Sequence, residues 1–218
     1  MSGFDMNSSD DYRGIAQIYD LALNPLLDFV RRDICRLLLA RKTAHAVDLG
    51  CGTGRQCLFL HKHGIRTFGV DRSPAMLRKA RARTPDEITY HQEDIKSTSF
   101  RDGFFDAAVI SLVLHENEPD TQDRIISEAV RIIRPEGCLA ILDHGRIENF
   151  ATRVMHYASC VPERLAGKKH FRNYLLFMKN QGLQGLVGSR PGLKVTGERK
   201  YFFGGLWLCL AKAGNNDG

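Results

Sequence analysis

The sequence predicts an α/β fold, one domain built on a doubly wound, mainly parallel sheet. Three observations carry this. Between Ala44 and Leu142, short apolar runs alternate five times with stretches of helical periodicity, the pattern of repeated strand–helix units. Asp48, Asp71, Asp94 and Ser111 fall at the C-terminal ends of successive apolar runs, and ligands of such sheets bind outside those ends. The first run opens into Gly50-Cys51-Gly52-Thr53-Gly54, a loop with almost no side chains in the way of a ligand.

The elements follow in order. Ala44 to Leu49 is the first strand, with Asp48 near its end. Three glycines at alternate positions then let backbone amides approach a ligand, and Gln56 to Leu60 continue as a helix whose N-terminus faces it. A dinucleotide fingerprint G-x-G-x-x-G would need glycine at position 55, where Arg55 stands, so a pyrophosphate cradle is not indicated. Arg66 to Val70 is the second strand. Asp71 ends it, placed so that an ionised carboxylate can accept two hydrogen bonds from a ribose diol. Ser73 and Pro74 supply an N-cap and a first-turn proline for a helix over Ala75 to Arg83.

A third strand, Ile88 to His91, leads into Gln92-Glu93-Asp94-Ile95. Phe104 to Ile110 is apolar enough to be a strand buried on both faces, and it ends in Ser111-Leu112-Val113-Leu114-His115-Glu116. Ile125, Ile126, Ala129, Val130, Ile132 and Ile133 give Thr121 to Ile133 a helical stripe, which Arg134-Pro135-Glu136-Gly137 stops before a fifth strand, Cys138 to Leu142. Residues 12–40 read as an N-terminal helical segment broken near Asn24-Pro25. Two helices are expected at about 147–160 and 170–181, then a closing hairpin from Leu193 to Lys212 turning at Gly204-Gly205.

D-x-G-x-G-x-G at 48–54, an acid at the end of the second strand, "QEDI" at 92–95 and "RPEG" at 134–137 together resemble the class I S-adenosylmethionine-dependent methyltransferases. "IYDLALNP", with Tyr19 and Asp20, is similar to the cofactor-covering helix of the ubiquinone and menaquinone C-methyltransferase group. The resemblance runs from about residue 12 to 212. It implies a Rossmann-like, seven-stranded sheet of order 3-2-1-4-5-7-6 with the last strand antiparallel. On that basis residues 1–218 form a single domain with an N-terminal cap (12–40), a cofactor-binding core (44–142), a helical lid (146–190) and a C-terminal hairpin (193–212).

The implied cofactor is S-adenosylmethionine, leaving as S-adenosylhomocysteine. Its methionine part would meet Asp48, Gly50, Cys51, Gly52, Gly54 and Ser111; its ribose Asp71, with Arg72 alongside; its adenine the edge formed by Asp94 and the Ile95 amide. Met76 is either an adenine contact or an ordinary core residue of its helix. Tyr19 is either a cover over the methyl group or ordinary helix packing. His115 and His144 are catalytic candidates, with His170 after them, because an imidazole titrates near neutrality and suits a general base, although each is more often a hydrogen-bonded structural histidine; Glu116 is the further candidate, to orient or bind an amine. No metal is assigned, since the six cysteines show no paired spacing.

The acceptor is expected to be a small molecule, quinone-like or aromatic. Phospholipid or amine N-methylation, aminopropyl transfer and cofactor binding without turnover are the alternatives. Charge is uneven: residues 144–218 hold 12 Lys and Arg against 4 Asp and Glu, whereas the whole chain is +6. A basic, apolar lid could receive an anionic or amphiphilic acceptor or touch an anionic membrane surface. Nucleic acid is not indicated, no apolar stretch is long enough to span a bilayer, and the polar, acidic start is unlike a signal peptide, so a cytoplasmic setting is expected.

Overall fold

The computed structural model describes residues 27–213. A helix over 27–39 (α1) precedes seven strands: β1 His45–Leu49, β2 Arg66–Val70, β3 Thr89–His91, β4 Phe105–Ser111, β5 Ile133–His144, β6 Leu193–Tyr201 and β7 Leu206–Ala213. Between them lie α2 Arg55–Lys62, α3 Pro74–Arg83, α4 Pro119–Ile132, α5 Phe150–Leu165, α6 Lys168–Lys179 and α7 Gly182–Gly188. All seven strands join one sheet in the order β3-β2-β1-β4-β5-β7-β6. β1, β2, β3, β4 and β5 pair in parallel, and β7 runs antiparallel between β5 and β6, as the sequence predicts.

The central strands are apolar on both faces because both are covered. Val47, Leu49, Ala108, Ile110, Leu139 and Ile141 pack with α4 and the α6–α7 region through Ile125, Ile126, Tyr174, Phe177 and Leu183. Their alternating neighbours Ala46, Ala107, Val109, Ala140 and Leu142 pack with α1 and α2 through Val30, Ile34, Leu38 and Leu60. Ile125, Ile126 and Ile132 are fully buried, each contributing about 1.5–3 kcal/mol.

Three boundaries differ from expectation. β5 runs from Ile133 to His144, and the Arg134–Gly137 segment is a bulge within it: the register with β4 shifts between Phe105 and Ala107, and Glu136 sits at φ 66°. The longer strand brings Asp143 and His144 onto the sheet. α5 continues to Leu165 with Pro162 inside it, one turn beyond the expected end near residue 160. α7 was not foreseen, because a Gly-Leu-Gln-Gly-Leu-Val-Gly stretch carries little helical propensity; packing of Leu183 and Val187 onto the core holds it. The N-terminal half of the expected cap, with Tyr19, lies outside the described residues.

Candidate active site

The glycine loop leaves β1 in a conformation that other residues resist. Gly50, Gly52 and Gly54 all have positive φ, at 77°, 51° and 75°. At Gly54 the constraint is doubled, because a Cβ there would collide with Tyr90 Oη; at Gly52 a Cβ would meet nothing, so the loop is open on that side. Gly54 is also the N-cap of α2, which has no side-chain cap. Gly50 lies against Val113, whose Cγ2 would stand 2.6 Å from a Cβ added there. This contact joins the glycine loop to the segment after β4.

Asp71 ends β2 and faces the loop. Its Oδ2 accepts the Gly52 N–H at 2.9 Å, and its Oδ1 accepts the Ser73 N–H at 2.8 Å. Each oxygen keeps a second lone pair for a ligand. Ser73 caps α3 by accepting the Met76 N–H. Met76 is 37% exposed while the adjacent Leu77 is fully buried, so Met76 is not a core residue of α3. Arg72 is exposed.

Beyond β3, Asp94 accepts the Lys96 N–H and pairs with its ammonium at 3.1 Å; these hold the carboxyl below its usual range against the opposing effect of its partial burial. Ile95 packs on the core. Glu93 ties the loop through the Ser99 N–H and hydroxyl, both at 2.7 Å.

Asp48 and Cys51 lie inward of the loop. Asp48 is 2% exposed and burial pushes its carboxyl up to about 7, with the Cys57 thiol 3.5 Å away as hydrogen-bond donor. Cys51 is a buried free thiol packed with Cys57, Leu77 and Ile88. Arg55 forms a two-pronged pair with Asp28, at 2.9 and 2.5 Å, and so fastens α1 to the start of α2.

On the other side of the loop, β4 ends at Ser111, half-buried beside Leu142 of β5. Leu112 then takes φ 57°, a conformation costing a non-glycine residue about 1–2 kcal/mol, and the chain turns sharply into a single 3-10 turn at Leu114–Glu116. His115 is thereby driven inward. Its Nδ1 lies 2.7 Å from Asp143 Oδ1, and Asp143 also accepts the backbone N–H groups of Leu114, His115 and His144. Glu163 arrives from α5: its carboxylate lies 3.5 Å from His115 Nε2, 3.6 Å from His144 Nε2 and 2.5 Å from His170 Nε2. The rings of His115 and His144 meet edge to face at 4.8 Å, and Tyr174 lies against both.

Burial disfavours the charged forms here, but the partners prevail. Asp143 and Glu163 raise the His115 imidazole well above its ordinary value despite burial. His115, His144 and His170 hold Glu163 far below the ordinary carboxylate range, again against burial. Glu116 is exposed as a residue, yet burial raises its carboxyl above the ordinary range against the pull of His115 and His170, and its carbonyl accepts the Asn173 amide of α6 at 2.7 Å.

The structure thus brings together two of the three catalytic candidates, His115 and His144, joins His170 to them, and leaves Glu116 at the rim. Sequence reasoning missed Asp143 and Glu163. The expected fifth strand stopped at Leu142, one residue before the first, and the expected helix stopped near residue 160, before the second.

Residues 47–141 match a family described as methyltransferase domain. An uncharacterised methyltransferase of Synechocystis is 35% identical over 104 residues, covering 48% of this chain and 49% of that protein. The ubiquinone/menaquinone biosynthesis C-methyltransferase of Zymomonas mobilis is 30% identical over 136 residues, covering 59% and 55%. The chain therefore spans about half the length of these curated relatives. Among solved structures, the plantazolicin methyltransferase in complex with S-adenosylhomocysteine has the same fold, with a TM-score of 0.66, 16% identity, and coverage of 94% of this chain and 91% of that one.

Proposed function

We propose that this chain, whose residues 47–141 match the methyltransferase-domain family, is a class I S-adenosylmethionine-dependent methyltransferase that transfers a methyl group from S-adenosylmethionine to a small-molecule acceptor. One observation carries the reading: Asp71 is fastened to the Gly52 amide, which couples a ribose-binding acid to an open glycine loop at the C-terminal ends of adjacent strands. The methionine part of the cofactor lies along Gly50–Gly54 toward Ser111, the ribose on Asp71, and the adenine between Met76 and the Asp94–Ile95 edge. Asp48 acts from behind the loop.

The sulfonium is already an activated electrophile. The protein's task is to align an acceptor nucleophile about 3 Å from the methyl carbon, in line with the breaking bond, and to exclude water. His144, the last residue of β5, is the group placed to orient the acceptor or to remove its proton, with His115 beside it in the 3-10 turn after β4.

The acceptor is quinone-like or aromatic, a reading supported by the similarity to the quinone-modifying relative. A specific observation favours an amphiphilic member of that class: α5 presents Phe150, Val154, Tyr157, Val161 and Leu165 to solvent along one face. Such a face suits an isoprenoid tail or peripheral contact with a bilayer. No described helix is long and apolar enough to cross a membrane, and a cytoplasmic location is part of this reading.

The test is incubation of the full chain with methyl-labelled S-adenosylmethionine and fractionated cell extract, followed by identification of the labelled product. A labelled small lipid-soluble product supports the proposal. Cofactor binding with no labelled product in any fraction would instead indicate a binding protein without turnover.

A further inference from the structure

We propose that His115, Glu163 and His170 hold a divalent transition-metal ion, with His144 beside it, and that its open position takes an ionisable oxygen of the acceptor. The metal site stands on geometry alone; its role toward the acceptor rests on the methyltransferase reading above.

The argument begins with Asp143. Three backbone N–H groups point at its carboxylate, so it is an acceptor on every side, and the proton shared with His115 resides on Nδ1. The other ring nitrogen, Nε2, is the one an ion would take, and it faces Glu163 at 3.5 Å. His170 Nε2 converges on the same oxygen of Glu163, and His144 Nε2 on the other. One ligand atom from each of His115, Glu163 and His170 lies within 4.8 Å of the others. Ligands on bonds of about 2.0–2.2 Å to a tetrahedral zinc-like ion stand about 3.3–3.6 Å apart; His115 Nε2 and the Glu163 oxygen already do, at 3.5 Å, whereas His170 Nε2, at 2.5 Å from that oxygen, would move outward to admit the ion.

Charge points the same way. Glu163 is 9% exposed, and a buried carboxylate needs a matching positive charge. The nearby cations Lys169 and Arg172 reach Glu118 instead. A divalent ion held between Glu163 and the Nε2 atoms that face it would supply that charge directly. Two imidazoles and one carboxylate leave a coordination position open, the pattern of a catalytic rather than a structural ion. Asp143 on the far nitrogen of His115 is the partner that fixes a metal-bound imidazole. An acceptor hydroxyl bound at the open position would lose its proton to solvent and remain on the ion as an oxyanion.

The test uses the full chain after dialysis against a chelator. Zn2+ is titrated by calorimetry and Co2+ by visible absorption, with S-adenosylhomocysteine affinity measured separately. Expected are one equivalent of ion and intense cobalt bands of a site with fewer than six ligands. Glu163→Gln and His170→Ala should each weaken Zn2+ at least about 100-fold, and Asp143→Asn about 10- to 100-fold. S-adenosylhomocysteine affinity should stay unchanged in all three. Substoichiometric binding, unchanged affinity in Glu163→Gln and His170→Ala, or loss on Cys160→Ala instead would overturn the site. If the ion binds as expected but its removal leaves methyl transfer intact, the acceptor role falls. Absence of S-adenosylhomocysteine binding would defeat the methyltransferase reading while leaving the metal titration interpretable.

Discussion

Replacing Asp71 with alanine should weaken S-adenosylhomocysteine binding at least tenfold. Each carboxylate oxygen already accepts one backbone N–H, from Gly52 or Ser73, and has one direction left for a ribose hydroxyl. Hydrogen bonds to a charged group contribute about 1.5–3 kcal/mol each, so two would amount to about 3–6 kcal/mol. Asp71 is half-buried, and water can replace part of that, which sets the floor at about 1.4 kcal/mol, or tenfold. Asp71→Asn should do little better: its amide nitrogen must face either the Gly52 or the Ser73 N–H, donor against donor. The assay is calorimetric titration of both variants, with thermal melts to show that the fold is retained. Folded variants that bind with native affinity would refute the ribose assignment and, with it, the coupling of loop and acid on which the functional reading stands.

Asp48 makes stability depend on pH with a definite sign. Its carboxyl rises from an ordinary 3.8 to about 7, so the folded chain binds the extra proton and stability falls as pH rises between those values, by up to about 4 kcal/mol. Asp48→Asn should therefore raise the melting temperature more at pH 8 than at pH 5; equal shifts at both would show that Asp48 is not the source. Gly54→Ala combines φ 75° with a collision at Tyr90 and should cost at least about 2 kcal/mol, lowering Tm by about 4 °C or more in a melt. Tyr174→Phe removes the hydroxyl lying 2.9 Å from His156 Nδ1 and should cost about 1 kcal/mol in chemical denaturation. Phe150→Glu and Tyr157→Glu, on the exposed face of α5, should abolish co-sedimentation with anionic vesicles while leaving S-adenosylhomocysteine affinity unchanged.

The glycine loop and the acid beside it were legible because their signals are local. Glycines at 50, 52 and 54 and an acid at 71 each follow a strand within a residue or two, so their position needs only the strand assignments and the rule that ligands meet the C-terminal ends. Sheet order followed from the same alternation together with the resemblance. Residues outside that logic were placed less well. Arg55 read only as the departure from a dinucleotide pattern, yet it binds Asp28 of α1, 27 positions earlier, a pairing that local sequence cannot specify.

The sequence by itself determined the parallel core, the glycine loop and the acids at its strand ends, because periodicity, turn chemistry and capping act over a few residues. Tertiary structure decided the rest. His115, Asp143, His144, Glu163 and His170 come from four segments, and they meet only because β5 extends two residues past Leu142 and α5 carries on through Pro162. A proline within a helical pattern is a local signal to end or kink the helix. Here the packing of α5 against α6 and the burial of Glu163 among three imidazoles outweigh that signal, and the pairing of Asp143 with Trp207 carries β5 past Leu142. Burial of that kind is a property of the assembled fold.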